Sequence, residues 1–409
     1  MPIRVLPPEV AGKIAAGEVV ERPASVVKEL LENSIDAGAT DIRVEIREGG
    51  RRLIRVADNG GGIPDEELVL AFARHATSKL TDVEDLDRIA TLGFRGEALA
   101  SIASVSEITV LTRPRSQAMG QLLRVEGGRI VRQEGRGSPA GTVATVEHLF
   151  RNVPARLKFL RQPQTETGHL HTAITRYALA YPETRFVLTA DGRQTFQSSG
   201  NGKLYDVLIA VYGLDVAEKT IEVSSGQESD VENEIAREAS RPPSCQVRGY
   251  TSSPSLHRAN RTYITFFVNR RWIQDRSLAH AVAQAYHTLL PVGRHPLAVL
   301  LLEMDPAEVD VNVHPTKREV KFRNGRGVFS AVQSTVRRAL VERSPVPAMA
   351  HSPRTWPAPD WERRQSLISA GHSESDPSQL AMELYRPGDK PLPVGPVRLA
   401  VLRVVGQVC

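Results

Sequence analysis

The sequence predicts an α+β fold: a layered α/β domain, a smaller α/β domain after it, and a disordered tail. Three observations predict it. Helical and alternating apolar periods follow one another through the first 210 residues or so. A second set of elements occupies 246–322, after an acid-rich stretch at 225–242 that reads as an exposed loop. It has strands at 246–250 and 262–268, a helix-like run at Leu278–Leu290, a strand at Ala298–Met304, and a loop and strand at 310–322. After about residue 343 periodicity fades, and ten of the 27 prolines fall between Pro345 and Pro396. A segment of that composition cannot bury enough apolar surface to offset its ordering entropy. The expected boundaries are 1–215, 216–340, a linker at 341–396, and 397–409 as the first strand of a further domain, cut short.

Residues 26–38, VVKELLENSIDAG, carry the first helix. Val27, Leu30, Leu31 and Ile35 keep the helical apolar rhythm, so that face packs into a core. Glu29, Asn33 and Asp36 fall on another stripe of the same cylinder. Pro23 and Ser25 suit the helix start and Gly38 its stop. A carboxylate one turn from an amide oxygen suits positioning a water and a magnesium ion beside a phosphate chain. The same pattern also describes an ordinary solvated helix face.

A hairpin follows. Ile42, Val44 and Ile46 alternate with polar residues, Gly49-Gly50 turns the chain, and Leu53, Ile54 and Val56 return it. The second strand runs into Asp58-Asn59-Gly60-Gly61-Gly62-Ile63-Pro64. Asp58 offers a fixed acceptor, suited to an exocyclic amine of adenine, and the glycines let a flat ligand approach the backbone. Asp-Asn-Gly is also a common capped turn. A third glycine cluster, Leu92-Gly93-Phe94-Arg95-Gly96-Glu97, precedes the helical run Ala98–Ile102. Backbone N–H groups at such a helix start bind phosphate oxygens. Between them Arg74–Lys79, with two cations and two hydroxyls flanking His75, suits a movable cover over an anion. No GxxxxGK[ST] pattern occurs, which excludes a P-loop ATPase.

ELLENSIDAGA (29–39), DNGGGIP (58–64), RHATSK (74–79) and GFRGEALASI (93–102) together resemble the GHKL ATPases. That group includes type II topoisomerase ATPase domains, a large heat-shock chaperone and histidine kinases. Longer segments, IAAGEVVERPASVVKELLENSIDAGA at 14–39, GTVATVEHLFRNVPARLKFL at 141–160 and DVNVHPTKREVKF at 310–322, resemble the MutL family of DNA mismatch repair proteins. The resemblance covers most of residues 1–335. It implies a Bergerat-type α/β sandwich for the first domain and a transducer domain, similar to a small ribosomal-protein fold, for the second.

The resemblance also implies roles. Glu29 would be the general base for the attacking water, and Asn33 would hold magnesium. Asp58 would accept from the adenine amine, with Gly62 giving close approach. Gly93, Gly96 and Leu99 would give backbone contacts to the phosphates within an ATP lid at about 74–100, where Lys79, Phe94 and Arg95 also belong to the nucleotide site. Thr142 is the expected hydroxyl near adenine; related sequences often carry a second threonine where this chain has Val143. Lys317 would reach from the second domain to the γ-phosphate, offsetting charge that grows in phosphoryl transfer.

The implied function is that of a matchmaker in mismatch repair. Magnesium and ATP would pair two copies of the ATPase domain. The pair would contact DNA largely without sequence preference and couple a MutS-type mismatch-recognition protein to a downstream nuclease or helicase, with slow hydrolysis. MutL proteins continue into a dimerisation domain that in many lineages nicks DNA. Its acidic and histidine motif does not occur in these 409 residues, so the chain is expected to be a fragment without nicking activity. A topoisomerase subunit would need a cleavage module, a chaperone a large client-binding middle domain, and a histidine kinase a phospho-acceptor helix before the ATP site. A non-hydrolysing DNA-binding scaffold is the reading from another class; it would bind DNA without responding to nucleotide.

Composition agrees. The formal charge of +5 and pI near 9.3 tolerate DNA without identifying a DNA binder. Arginines cluster at 112–136 and 258–276, where Asn269-Arg270-Arg271-Trp272 sets cations beside an aromatic ring. Cys245 and Cys409 are too few and too distant for a disulfide framework or a zinc site, and His169 and His171 read as surface histidines. The start lacks an apolar signal core and no run reaches transmembrane length, so a cytoplasmic, nucleoid-associated protein without membrane contact is expected.

Overall fold

The computed structural model describes residues 16–17, 19–79, 91–93, 96–225, 245–310 and 320–343, all within one compact unit. The first of two main sheets has eight strands: β1 (Asp41–Arg47), β2 (Leu53–Asp58), β3 (Glu107–Arg113), β4 (Gly120–Glu126), β5 (Arg129–Arg136), β6 (Gly141–Glu147), β7 (Arg185–Ala190) and β8 (Arg193–Gln197). Their order is β5-β4-β3-β6-β2-β1-β7-β8. Only β1 and β7 pair in parallel; the other neighbours are antiparallel.

The expected hairpin is β1–β2, with Ile42 opposite Asp58 and Ile46 opposite Ile54. Alternation decides its faces. Ile42, Val44 and Ile46 are buried while Arg43 and Arg47 face water, as in a sheet covered on one side only. The covering layer is made by helices α1 (Pro23–Asp36), α2 (Ala98–Val105), α3 (Pro163–Ala180) and α4 (Leu204–Tyr212). Val26, Val27, Leu30 and Leu31 of α1 are buried in this core, and Ile35 packs against it. Pro23 is the first residue of α1, where its missing N–H costs nothing. Arg22 is the cap residue and Ser25 lies inside the helix, so the expected serine start is displaced.

The second sheet has β9 (Thr220–Ser224), β10 (Cys245–Ser252), β11 (Ile264–Val268), β12 (Arg271–Ile273) and β13 (Ala298–Met304), in the order β12-β11-β13-β10-β9. Both faces are covered. Leu300 and Leu302 face a core made with α5 (Arg276–Ala285) and α6 (Gly325–Arg343), whereas Val299 and Leu301 join the first core. Five consecutive buried residues, Ala298–Leu302, follow from that double burial. The change of core falls between Ala217 and Ile221.

Three boundaries differ from expectation. The helix expected at Leu278–Leu290 ends at Ala285, and the strand expected from 262 begins at Ile264 after a single tight turn at Arg261–Tyr263. Helix α6 continues to Arg343, three exposed residues into the expected linker and beyond Leu340, its last core residue. All but the first residue of the acid-rich stretch 225–242, the rest of the expected linker and the expected last strand lie outside the described residues.

Candidate active site

A cavity of about 1030 Å³ opens along the polar stripe of α1. Glu29, Asn33, Asp58, Gly62, Lys79, Gly93, Gly96, Leu99 and Thr142 all line it, so the structure brings nine expected site residues together. Phe94, Arg95 and Lys317 lie outside the described residues. That volume suits a ligand of nucleotide size.

One end is built around Asp58. The last residue of β2 pairs with Thr142 of β6, which brings that side chain beside it. Ser34 Oγ donates to Asp58 Oδ2 at 2.8 Å; the N–H groups of Gly60 and Thr142 donate to Oδ1 at 2.9 and 3.3 Å. Burial pushes the Asp58 carboxyl above its ordinary pKa, and these donors oppose the shift without cancelling it. Val56, Ile63, Val110 and Ala144 supply apolar walls near this acceptor. Thr112, unnoticed in the sequence, accepts from the Ile63 N–H at 2.8 Å and lies 3.0 Å from the Thr142 hydroxyl.

Gly62 is required here for a reason the sequence did not disclose. Its φ is +73°, and a Cβ would stand 2.6 Å from the Arg113 carbonyl. The close approach is thus first to the chain's own backbone. Gly96 behaves likewise, with φ at +61° and a notional Cβ 2.4 Å from the Ala76 carbonyl oxygen. Gly96 so lets its own stretch of chain approach the backbone at Ala76 closely.

The other end is polar. Lys79 Nζ lies 2.5 Å from Asp36 Oδ2 and 3.0 Å from Asn33 Oδ1. Asp36 also accepts from the N–H groups of Leu92 and Gly93, each at 3.1 Å. The Lys79 side chain is 20% exposed and that of Asp36 only 9%. Asn33 Oδ1 and the Asp36 carboxylate therefore already hold one cation, the ammonium. An oxygen donor set of this kind fits magnesium, and the neighbouring amides and Lys79 fit phosphate.

Glu29 lies one turn before Asn33. Lys28 bridges Glu29 and Glu32 at 3.0 and 3.2 Å. Burial lowers the Lys28 pKa, but the two carboxylates outweigh it and the ammonium is held. Glu32 is buried, and its Oε1 accepts from Tyr177 of α3 at 2.7 Å. Periodicity alone marks none of Ser34, Glu32 or Tyr177, because Ser34 meets Asp58 of β2 and Glu32 meets Tyr177 of α3. Lys28 was overlooked although its partners Glu29 and Glu32 lie on its own helix. Asp36 was visible on the stripe but carried no role. Among the described residues no cluster of His, Cys, Asp and Glu forms a metal site of its own, and no helix is long and apolar enough to cross a membrane. His169 is exposed as expected, whereas His171 is partly buried against the Phe196 ring.

Comparison with known proteins decides the family. Residues 21–138 match the model for histidine kinase-, DNA gyrase B- and HSP90-like ATPases, and 208–341 match that for the C-terminal domain of DNA mismatch repair protein. MutL of Solibacter usitatus is 43% identical over 401 residues, and MutL of Anoxybacillus flavithermus is 48% identical over 345. The solved ATPase domain of Aquifex aeolicus MutL with ADP is 31% identical, covering 70% of this chain and 94% of that one, with a TM-score of 0.51. The chain belongs to the MutL family. Its first sheet and helices are the GHKL-type ATPase domain and its second sheet is the domain that follows it in that family, as the motifs implied. A solved N-terminal domain of a DNA repair protein is similar at a TM-score of 0.66 and 25% identity, covering 81% of this chain and 98% of that one. The chain takes in 94% of its own length against the Solibacter MutL but 60% of that relative, and 84% against the Anoxybacillus MutL but 54% of that one.

Proposed function

We propose that this MutL-family chain binds ATP with magnesium, hydrolyses it slowly, and serves as a matchmaker in DNA mismatch repair. One observation carries the reading: Glu29, Asn33 and Asp58 face one cavity whose ends suit a purine and a phosphate chain. Asp58 takes the adenine amine, with Thr142 and the Gly62 turn beside it. Asn33 holds the magnesium, which when bound neutralises phosphate charge. The lid residues Lys79, Gly93, Phe94, Arg95, Gly96 and Leu99 contact the phosphates. Glu29 accepts a proton from the water that attacks the γ-phosphorus as the bond to ADP breaks. Lys28, 3.0 Å away, pairs with that carboxylate and orients it. Lys317 completes the γ-phosphate contacts.

Residues 1–215 act as the nucleotide domain and 216–340 as the transducer. Ordering of the lid around ATP favours pairing of two ATPase domains, and hydrolysis releases them. The paired form contacts DNA without sequence preference and joins a MutS-type protein to a downstream nuclease or helicase, in the cytoplasm at the nucleoid. The test is magnesium-dependent ATP hydrolysis of this chain beside Glu29→Ala across protein concentrations. Slow turnover that rises with concentration and is lost in the variant supports the reading. Turnover unchanged by the substitution overturns Glu29 as the base, and DNA binding indifferent to nucleotide favours a passive scaffold.

A further inference from the structure

We infer that Arg271, on the second sheet, is a positioning residue for the metal end of the nucleotide cavity; the inference rests on the reading of that cavity as a nucleotide site. Arg271 opens β12, directly after a tight turn in which Asn269 and Arg270 both take positive φ, 46° and 66°. Its Nη2 donates to the carbonyl oxygens of Thr91 at 3.1 Å and of Leu92 at 3.4 Å. Among the described residues it has no ion pair, so its charge is directed at these two carbonyls.

The opposite edge of the same short segment meets α1. The N–H groups of Leu92 and Gly93 reach the two oxygens of Asp36, and Asp36 shares the Lys79 ammonium with Asn33. Residues 91–93 are thus held from both sides, by a cation of the second sheet and by a carboxylate of α1. They also partition two cavities: Thr91 and Gly93 line the larger, whereas Leu92 and Arg271 line a neighbouring one of about 430 Å³.

The turn that presents Arg271 is itself anchored. Arg270 pairs with Glu183 and lies over the Tyr181 ring, and the Arg176 guanidinium stands 3.6 Å from the Trp272 ring centre. Asn269 bonds the backbone of β13 through its N–H to Leu302 and its side chain to Met304. Donation by a guanidinium to a carbonyl polarises the peptide and strengthens the bond made by the following N–H. Arg271 so aligns Leu92 and Gly93 on Asp36, and Asp36 sets where Asn33 presents its oxygen. By linkage, an event that moves the second sheet changes the affinity of this end, and occupancy of this end steadies the sheet.

The test uses Arg271→Met, which keeps an unbranched apolar stem and removes the donor, beside Arg271→Lys. In the nucleotide-free protein, hydrogen exchange of the Leu92 and Gly93 amides is expected to quicken about tenfold in Arg271→Met, the size expected for loss of a hydrogen bond to a charged group. Exchange in β11 and β13 is expected to be unchanged. The magnesium concentration that half-saturates ATP binding is expected to rise by about fivefold to tenfold on the same ground. Binding of adenosine, which reports the Asp58 end alone, is expected to move less than about twofold, and Arg271→Lys to recover part of the magnesium effect. Unchanged exchange at Leu92 and Gly93 overturns the inference. So does an equal fall in magnesium-ATP and adenosine binding, which would mean general loosening. A wild-type chain that binds no ATP would instead overturn the nucleotide reading, while the exchange experiment would still test the link between Arg271 and Asp36.

Discussion

Ser34→Ala isolates the one side-chain donor to Asp58 among the described residues. The Ser34 hydroxyl is 2.8 Å from Asp58 Oδ2 and Ser34 is 4% exposed. A hydrogen bond to a charged group contributes about 1.5–3 kcal/mol, and its removal from the half-buried Asp58 carboxylate forfeits about that much. For a unit of this size, each kcal/mol moves Tm by about 2 °C, so a fall of about 3–6 °C at pH 7.5 is expected. The pH dependence follows from the direction of the shift. The folded-state pKa of Asp58 is raised, so its contribution to stability is complete below the unfolded-state value and is lost as pH rises through the folded one. Ser34→Ala raises that pKa further, and its deficit therefore shrinks on acidification, when a neutral carboxyl needs the donor less. A neutral pair contributes only about 0.5–1.5 kcal/mol. Asp58→Asn is the control. An amide there still accepts from Gly60 and Thr142 and donates to the Ser34 oxygen, so Tm is expected to hold while adenine binding is lost. Calorimetry of the three proteins at pH 5 and 7.5 decides. A Ser34→Ala protein that melts with wild type at pH 7.5, or whose deficit grows at pH 5, refutes the reasoning.

Tyr177→Phe removes the 2.7 Å bond to buried Glu32 and leaves Lys28 as its remaining partner; a loss of about 1.5–3 kcal/mol in urea unfolding is expected, and no loss would show that the carboxylate is not desolvated. Leu31→Ala, at a fully buried position on the core face of α1, is expected to cost about 2–5 kcal/mol by the same measurement. Cys245 is 2% exposed and burial pushes its thiol up to about 12, so in a Cys409→Ser background a disulfide reagent at pH 8 is expected to react only after denaturation. Rapid reaction of the native protein would contradict that burial.

The hairpin, the core face of α1 and the strand at Ala298–Met304 were legible because each depends on a local period of side chains. Asp58 and the glycine turn after it were legible as chemistry, since an acceptor at a strand end before three glycines needs no distant residue to be noticed. What stayed hidden depends on pairing across the sheet. Thr142 reaches Asp58 because β2 and β6 are neighbours despite a separation of 84 positions, and Ser34 reaches it from the helix that covers them. The glycine at 62 was read as room for a ligand, but its first contact is with the backbone at Arg113. Arg271 was visible only as one of a cluster of arginines beside an aromatic ring. Its role depends on carbonyls 180 and 179 residues away.

The two faces of α1 explain why stability and chemistry are hard to separate in this chain. Leu30 and Leu31 fix the helix on the sheet, and that placement alone decides how far Ser34 stands from Asp58 and Asn33 from Lys79. A core substitution that rolls the helix therefore displaces both ends of the cavity together. A polar substitution on the stripe leaves the core intact, but it uncovers a charge that a neighbour had balanced, as Lys28 does for Glu29 and Glu32. The two kinds of defect differ in their pH response. Loss of packing lowers stability by a similar amount at every pH, whereas an unbalanced carboxylate costs most where it is ionised. A pH series of melting curves thus separates variants that shift the helix from variants that leave it in place and change only its charges.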